Sequence, residues 1–302
     1  MTCAVCGGAL GPELLSAPAP DAQDGPVYGV RRCGSCGTAQ VWPLPDPAAV
    51  QDLYFKEYWG AESGRYQGAL SRRLTDIFLS SRVRAVRRFV PPGGAVLDYG
   101  CGNGEFVRAM RGAGYDCFGY DPNSASESEY VNRGHEGRSY DLITLWHVFE
   151  HFSDPAAELA RLTALLKPGG RLFIAVPNFE GLDSRFGRGK WFHLDLPRHV
   201  FHYGPESLER TLRAAGLRAL EKRTPANWYA VFGLWQTLFN MSGCRMNAFY
   251  YALKRGGRGA SARDVLLHAL LGLPYFLFAL AAAPALAAAG RSGALEIVCE
   301  KA

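Results

Sequence analysis

The 302-residue sequence has no basic-then-apolar run at its start, no even spread of cysteines and no large excess of either charge. Without the first there is no signal peptide to read, so a reducing cytoplasm is the expected compartment. The second absence argues against a disulfide framework. Of eight cysteines, four form two close pairs (Cys3/Cys6 and Cys33/Cys36), while Cys101, Cys117, Cys244 and Cys299 stand alone. The third is a net charge of +5 with only 20% charged residues, which permits an anionic surface or substrate without demanding nucleic acid. A fourth absence is local: no Asp, Glu, Lys or Arg falls between Val265 and Ala289. At 48% hydrophobic the chain is globular and long enough for one large domain with additions, or for two.

The paired cysteines stand in C-A-V-C-G-G and C-G-S-C-G-T. Two thiolates two residues apart and followed by glycine can be presented by one turn to a tetrahedral ion. The stretch between the pairs, rich in proline, alanine and glycine, is too poor in apolar residues to fold without a staple. Cys3, Cys6, Cys33 and Cys36 are therefore the expected ligands of a structural zinc in a ribbon over residues 1–42. A redox pair set is the alternative.

Residues 43–92 read as a proline-stiffened connector, an aromatic docking segment and a helical cap. The cap carries Leu70, Leu74, Ile77, Phe78, Val83 and Val86 on one side, with Arg72, Arg73, Arg82, Arg84, Arg87 and Arg88 expected mostly on a solvated face. From Ala95 onward strands and helices alternate. Strands are expected at 95–99, 116–120, 140–145, 171–176, 217–223 and 293–301, with helices at 105–112, 155–166 and 205–215. The fold class is therefore α/β, a doubly wound parallel sheet. The core is assigned to 93–224 plus 292–302, with 179–204 as a substrate lid.

At A-V-L-D-Y-G-C-G-N-G-E-F (95–106) a buried strand meets a glycine turn and a helix start. Such a turn brings bare backbone to a ligand at the carboxyl end of a strand. A dinucleotide turn needs G-x-G-x-x-G, but the third glycine comes one residue early and Glu105 takes its place. Asp98 would repel a pyrophosphate and suit an amine, and Asp121, ending the next strand, can accept both hydroxyls of a ribose. An amine plus a ribose describes S-adenosylmethionine better than a nicotinamide cofactor.

D-Y-G-C-G-N-G resembles motif I of class I S-adenosylmethionine-dependent methyltransferases, and G-Y-D-P-N resembles their second-strand acidic motif. H-V-F-E-H-F-S-D-P, L-K-P-G-G-R-L-F-I-A-V-P-N and L-P-R-H-V-F-H-Y resemble a bacterial subgroup of the same superfamily. The resemblance covers 54–223 and the final strand. It implies a seven-stranded Rossmann-like sheet, with cofactor contacts from Asp98, Tyr99, Gly100, Cys101, Gly102 and Gly104. It places the ribose on Asp121 and puts Trp146 and His147 at the cofactor's border. The paired cysteines resemble the zinc-binding front of some sugar C-methyltransferases. No clear adenine-binding segment is legible between Asp121 and Tyr140.

Methyl transfer needs a base only if the nucleophile must lose a proton. His151, His193, His199 and His202 are candidates, with Glu150 as an orienting partner, and His199 and His151 are favoured because they lie in the motifs nearest the inferred methyl. The alternative for each is a histidine that bonds backbone and shapes the lid.

The segment 225–291 reads as an apolar helical insert before the last strand. Its charge-free stretch is long enough to span a bilayer, but Pro274 and Pro284 are expected to break it into a folded-back pair of short helices. Beside it stand Trp228, Tyr229, Phe232, Trp235 and Phe239, and the basic residues Lys254, Arg255, Arg258 and Arg263. Peripheral attachment to the inner face of the plasma membrane, a lipid-linked substrate, a homodimer interface and a buried lid all remain open. The expected activity is methyl transfer to a small-molecule acceptor such as a sugar, a lipid-linked or another biosynthetic intermediate. A zinc-ribbon RNA methyltransferase is disfavoured because the arginines are distributed rather than grooved, and a silent cofactor-binding scaffold is the third reading.

Overall fold

A computed structural model describes residues 1–19, 26–48, 50, 69–124, 128–132, 137–254 and 261–301. The side chains of Arg72, Arg73 and Lys254, together with Arg255, Arg258 and the aromatic segment 54–59, lie outside the described residues. In chain order the elements are β1 (Leu10–Pro18), β2 (Val27–Cys33), β3 (Ala39–Trp42), α1 (Ala69–Val86), β4 (Ala95–Tyr99), α2 (Glu105–Gly112), β5 (Asp116–Tyr120) and β6 (Tyr140–Trp146). There follow α3 (Pro155–Ala164), β7 (Leu166–Pro177), α4 (Leu182–Gly187), β8 (Phe201–His202), α5 (Pro205–Ala214) and β9 (Leu217–Arg223). The last are α6 (Trp228–Met241), α7 (Ala248–Lys254), α8 (Ala262–Ala288) and β10 (Ala294–Lys301).

Two compact units share the chain. The first takes Met1–Arg65, Pro177–Leu208 and Arg223–Leu295; the second takes Tyr66–Val176, Glu209–Lys222 and Glu296–Ala302. The stretches read from sequence as ribbon (1–42), lid (179–204) and insert (225–291) thus fall in one unit.

The second unit is the α/β core. Its sheet has six strands among the described residues, where seven were expected, in the order β5-β4-β6-β7-β10-β9. The pairings β4–β5, β4–β6 and β6–β7 are parallel, with Leu97 opposite both Phe118 and Ile143. Parallel strands covered on both faces read as continuous apolar runs, and Leu142, Ile143, Leu172 and Phe173 are fully buried accordingly. Each such side chain contributes roughly 1.5–3 kcal/mol by leaving water. Asp154 starts α3 by accepting the Ala157 N–H at 3.0 Å, with Pro155 in the first turn. Between β5 and β6, Val131 makes isolated bridges to Gly119 and Ser128.

The first unit carries an antiparallel sheet ordered β1-β2-β3-β8. Its fourth strand comes from far along the sequence: Ala39 pairs with His202 and Gln40 with Phe201. Val30 and Val41 of this sheet pack on Phe179, Trp191, Leu194 and Leu196. The apolar insert departs from expectation. Pro274 and Pro284 lie inside α8, a single helix of 27 residues rather than a folded-back pair. Each proline removes one backbone bond. The helix continues because one face is held by tertiary contacts: Ala279 and Ala283 pack against Val231 and Leu234 of α6. The Trp235 indole N–H also donates to the Gly272 carbonyl at 3.0 Å, just before Pro274. The α8 start is fixed by a capping box between Ser261 and Asp264.

Candidate functional site

In the second unit the chain leaves β4 through Gly100, Gly102 and Gly104, all at positive φ (+80°, +56° and +72°). The Gly100 and Cys101 N–H groups donate to the Tyr120 carbonyl at 2.7 and 3.2 Å, which ties the turn to the end of β5. Only glycine fits the first and last positions. A Cβ on Gly100 would lie 2.3 Å from Val148 Cγ2, and one on Gly104 would lie 2.5 Å from Val131 Cγ2.

Asp98 is the penultimate residue of β4 and is 3% exposed. Its Oδ1 accepts the Thr144 hydroxyl at 2.8 Å. Burial pushes its carboxyl up to about 6; the Thr144 bond and the Arg82 guanidinium oppose that rise, and the Asp121 carboxylate adds to it. Asp121 accepts the Gly102 N–H on Oδ2 at 3.0 Å and the Asn123 N–H on Oδ1 at 2.9 Å. The Ser124 N–H acts on the same carboxylate, whose two oxygens offer about four acceptor sites in all. Burial raises this carboxyl as well, against those backbone bonds.

Trp146 ends β6 and packs on Phe173 and Phe106, with ring centroids 4.5 and 5.6 Å away. Its indole N–H is buried and has no hydrogen-bond partner among the described residues. A buried donor without a partner is costly. A positive-φ cradle, a buried acid, a second acid and an orphaned donor together fit a ligand that carries an amine, hydroxyls and acceptor atoms. His147 follows in the left-handed region (φ +59°), its N–H donating to the Ala175 carbonyl at 2.9 Å and its Nδ1 lying 3.7 Å from Glu150 Oε1. His151 is half-buried at the end of the short 3₁₀ turn that holds the buried Glu150.

Two residues of the glycine motif use their side chains elsewhere. The Tyr99 hydroxyl donates to Glu158 at 3.1 Å and meets Arg161, so its ring is fixed to α3. The Cys101 thiol packs in the core against Gly119, where a Cβ would sit 2.6 Å from the sulfur. What these two offer a ligand is backbone.

Arg82 was expected on the solvated face of α1 and instead turns inward. Its guanidinium lies 4.7 Å over the Trp146 ring and acts on Asp98. The signal was present in the spacing: Arg82 stands three residues after Leu79 and four before Val86, on the stripe that packs into the core.

In the first unit Cys3 Sγ lies 3.7 Å from Cys36 Sγ, and Cys6 Sγ lies 3.5 Å from Cys33 Sγ. All four sulfurs fall within 4.8 Å of one another. Sulfurs held ~2.3 Å from a tetrahedral centre are about 3.8 Å apart, so the set fits zinc. The two turns repeat each other: Gly7 N–H donates to Cys3 O at 2.8 Å and Gly37 N–H to Cys33 O at 3.1 Å, both glycines at positive φ.

The histidines of 193–202 are buried. Burial pushes His193 and His202 down to about 3, and lowers His199 too, against the pull of Asp195 and the His193 carbonyl. His193 stacks on Tyr229 at 4.0 Å and packs its ring against Gly233. His199 Nδ1 lies 2.7 Å from the His193 carbonyl oxygen. A carbonyl only accepts, so Nδ1 carries the hydrogen and Nε2 is the basic nitrogen.

A family model described as a methyltransferase domain matches residues 48–222, more than half of the chain. The chain belongs to this methyltransferase family. With it comes membership of the class I S-adenosylmethionine-dependent superfamily that the glycine motif resembles. The methyltransferase is 29% identical to the ubiquinone biosynthesis O-methyltransferase of Thiobacillus denitrificans, over 46% of this chain and 72% of that protein. It is 31% identical to the protein of that name from Chelativorans sp., over 44% of this chain and 62% of that one. Among solved structures, phosphoethanolamine N-methyltransferase 2 of Haemonchus contortus, in complex with S-adenosyl-L-methionine, superposes with a TM-score of 0.50 at 14% identity, covering 87% of this chain and 62% of that chain. That likeness is one of fold.

Proposed function

We propose that the chain transfers the methyl group of S-adenosylmethionine to an oxygen of a small acceptor, a sugar, a lipid-linked or another biosynthetic intermediate, in the cytoplasm or at the inner face of the plasma membrane. The observation that carries this reading is the pair of carboxylates, buried Asp98 and half-buried Asp121, around a turn of positive-φ glycines. The names of the relatives support oxygen as the attacked atom.

When bound, S-adenosylmethionine supplies a methyl carbon on a positive sulfur. Asp98 would hold the amine, Asp121 the ribose, the backbone of Tyr99 and Cys101 the methionine part, and Trp146 and His147 the border. Alignment of acceptor and methyl does much of the work. The chemistry the cofactor would supply is a methyl carbon for the acceptor oxygen, and the role left to this chain would be a histidine that takes the hydroxyl proton. His151 belongs to the unit of the glycine turn; His199, in the other unit, offers Nε2. Loss of a general base typically lowers the rate by about 10²–10⁴-fold. His151→Ala and His199→Ala, compared by kcat with cofactor affinity measured alongside, identify the base as the variant that loses kcat and keeps affinity. If neither loses kcat, the histidine reading fails.

Cys3, Cys6, Cys33 and Cys36 are proposed to hold a structural zinc, because four sulfurs leave no open position for substrate.

Asp98 sets a pH dependence. An amine needs the ionised carboxylate, so cofactor affinity should hold above pH 7 and fall about tenfold per unit well below its pKa of about 6. Stability runs the opposite way. A raised folded-state pKa means that the group stabilises the fold below its unfolded pKa and loses that contribution as pH rises through about 6. Asp98→Asn should therefore raise the melting temperature of the cofactor-free protein at pH 8, by up to about 3 kcal/mol of stability, while abolishing the pH dependence of binding. Calorimetry from pH 5 to 8 and thermal melts check both. An affinity that is flat with pH in the unmodified protein would remove Asp98 from the amine site.

A further inference from the structure

The surface of α8 carries a feature that methyl transfer does not use. Val265, Leu266, Leu270, Leu273, Leu277, Phe278 and Leu280 are 49–66% exposed, and an 18-residue window of this helix is only 6% buried. Pro274, Ala281, Pro284 and Ala285 are exposed on the same side. At 3.6 residues per turn these positions sweep about 220° of the helix, from Val265 at one edge to Phe278 at the other. The two polar residues of the stretch lie off this face: His268 rings with Phe239 and Phe249, and the Tyr275 hydroxyl meets Ser242 at 2.7 Å.

We propose that this face of α8 docks the protein on an anionic lipid bilayer, with the helix lying in the plane of the interface rather than crossing it. The proposal narrows the membrane contact named above to one face and one orientation, and rests on that reading only for its location. By length and composition α8 could span a bilayer. Its ends decide against that. At the amino end Asp264 is held by the Arg245 guanidinium at 2.8 Å; at the carboxyl end the Ala287 carbonyl accepts the Thr224 hydroxyl at 3.3 Å, and Leu182 N–H donates to the Arg291 carbonyl at 2.9 Å. Both ends are tied to the same folded unit, so the helix cannot leave them on opposite sides of a membrane.

A second copy of the chain fits less well. Leu266, Leu270, Leu273, Leu277 and Leu280 alternate four and three apart, as a helix–helix seam would, but the seam of a helix pair covers a narrow stripe flanked by charges. Here the flanks are Val265, Pro274, Phe278 and Ala285, and the charge-free run extends from Val265 to Ala289. One partner helix would leave much of the 220° arc wet, whereas hydrocarbon covers all of it without a register. Arg263 and Arg291 are exposed at the two ends, where they meet anionic headgroups.

The test is flotation of the purified full chain with vesicles of phosphatidylcholine alone or with phosphatidylglycerol added. The expected result is co-flotation, stronger with the anionic lipid, and at least a tenfold loss of bound fraction in Leu270→Glu/Leu277→Glu. These side chains are exposed, so unchanged S-adenosylmethionine binding by calorimetry serves as the folding control. It also reads the proposed cofactor site separately, so a failure of that reading is told apart from a failure of this one. Two results overturn the proposal: no vesicle binding by a soluble dimer that the double variant splits, or no vesicle binding by a monomer. The helix has no tryptophan of its own, so Leu266→Trp, Leu273→Trp and Leu280→Trp singly should report one common depth by quenching; depths that change steadily along the helix axis would overturn the in-plane orientation.

Discussion

Gly100→Ala is expected to abolish S-adenosylmethionine binding and lower the melting temperature together. The added methyl group would sit 2.3, 2.9 and 3.2 Å from Cγ2, Cγ1 and Cβ of Val148, so the whole isopropyl group must move. Val148 lies in the turn between His147 and Glu150, which would move with it. The backbone at φ +80° adds a left-handed penalty of roughly 1–2 kcal/mol for a residue with a Cβ. Overpacking adds about 1–3 kcal/mol. The sum is a large part of the ~5–15 kcal/mol that holds a domain folded. Any escape swings the turn off the Tyr120 carbonyl, where Gly100 and Cys101 are bonded. The dissociation constant should rise by at least ~100-fold, since a cradle displaced by a fraction of an ångström loses several bonds at once. Gly100→Ala/Val148→Ala separates the causes: it relieves the clash but not the backbone penalty, so the melting temperature should recover in part. An unchanged affinity in the single variant would place the cofactor elsewhere.

The second large effect is loss of the ion from the cysteine cluster. Elemental analysis should find one zinc per chain. Cys33→Ser, or a strong chelator, should remove it, lower the melting temperature and open residues 1–42 to protease. Structural zinc contributes apparent binding energies of about 10–16 kcal/mol in small finger peptides, as much as a whole domain's stability. Without the ion, four free cysteines, three of them buried, would hold their sulfurs in two pairs 3.5–3.7 Å apart with nothing to bridge them. The loss should reach past the ribbon, because Val30 and Val41 cover Trp191 and Phe179. A metal-free protein with the same melting curve would leave the cluster without a structural ion.

Much of the α/β core was legible because its signals are local. The buried runs Val96–Leu97 and Leu142–Leu145, the cap at Asp154 and the glycine turn each depend on a few adjacent residues. The strand end at Tyr99 followed from the same run, and that of β6 at Trp146 was read one residue short. Where reading failed, the deciding contact was distant. Phe201–His202 is too short to show any period and becomes a strand only by pairing with Ala39–Gln40. The prolines of α8 looked like breaks because nothing local announces the α6 face that holds the helix straight through them. Arg82 was misplaced by charge alone: it stands on an apolar stripe while its head lies over Trp146 and bears electrostatically on Asp98.

The position of β10 has a consequence for how the chain acquires its shape. β10 sits between β7 and β9 in the sheet, yet it follows β9 by about 70 residues, so loop closure must bring together distant points before either neighbour is complete. Until then β7 has an unsatisfied edge and β9 has no place in the sheet. Completing the sheet therefore closes a loop of about 70 residues that contains α6 to α8. Such non-local pairing makes for slow folding and a vulnerable interval in which an exposed strand edge and an apolar helix coexist. The exposed apolar face of α8, proposed above to dock on a bilayer, would in that interval be a surface prone to aggregate.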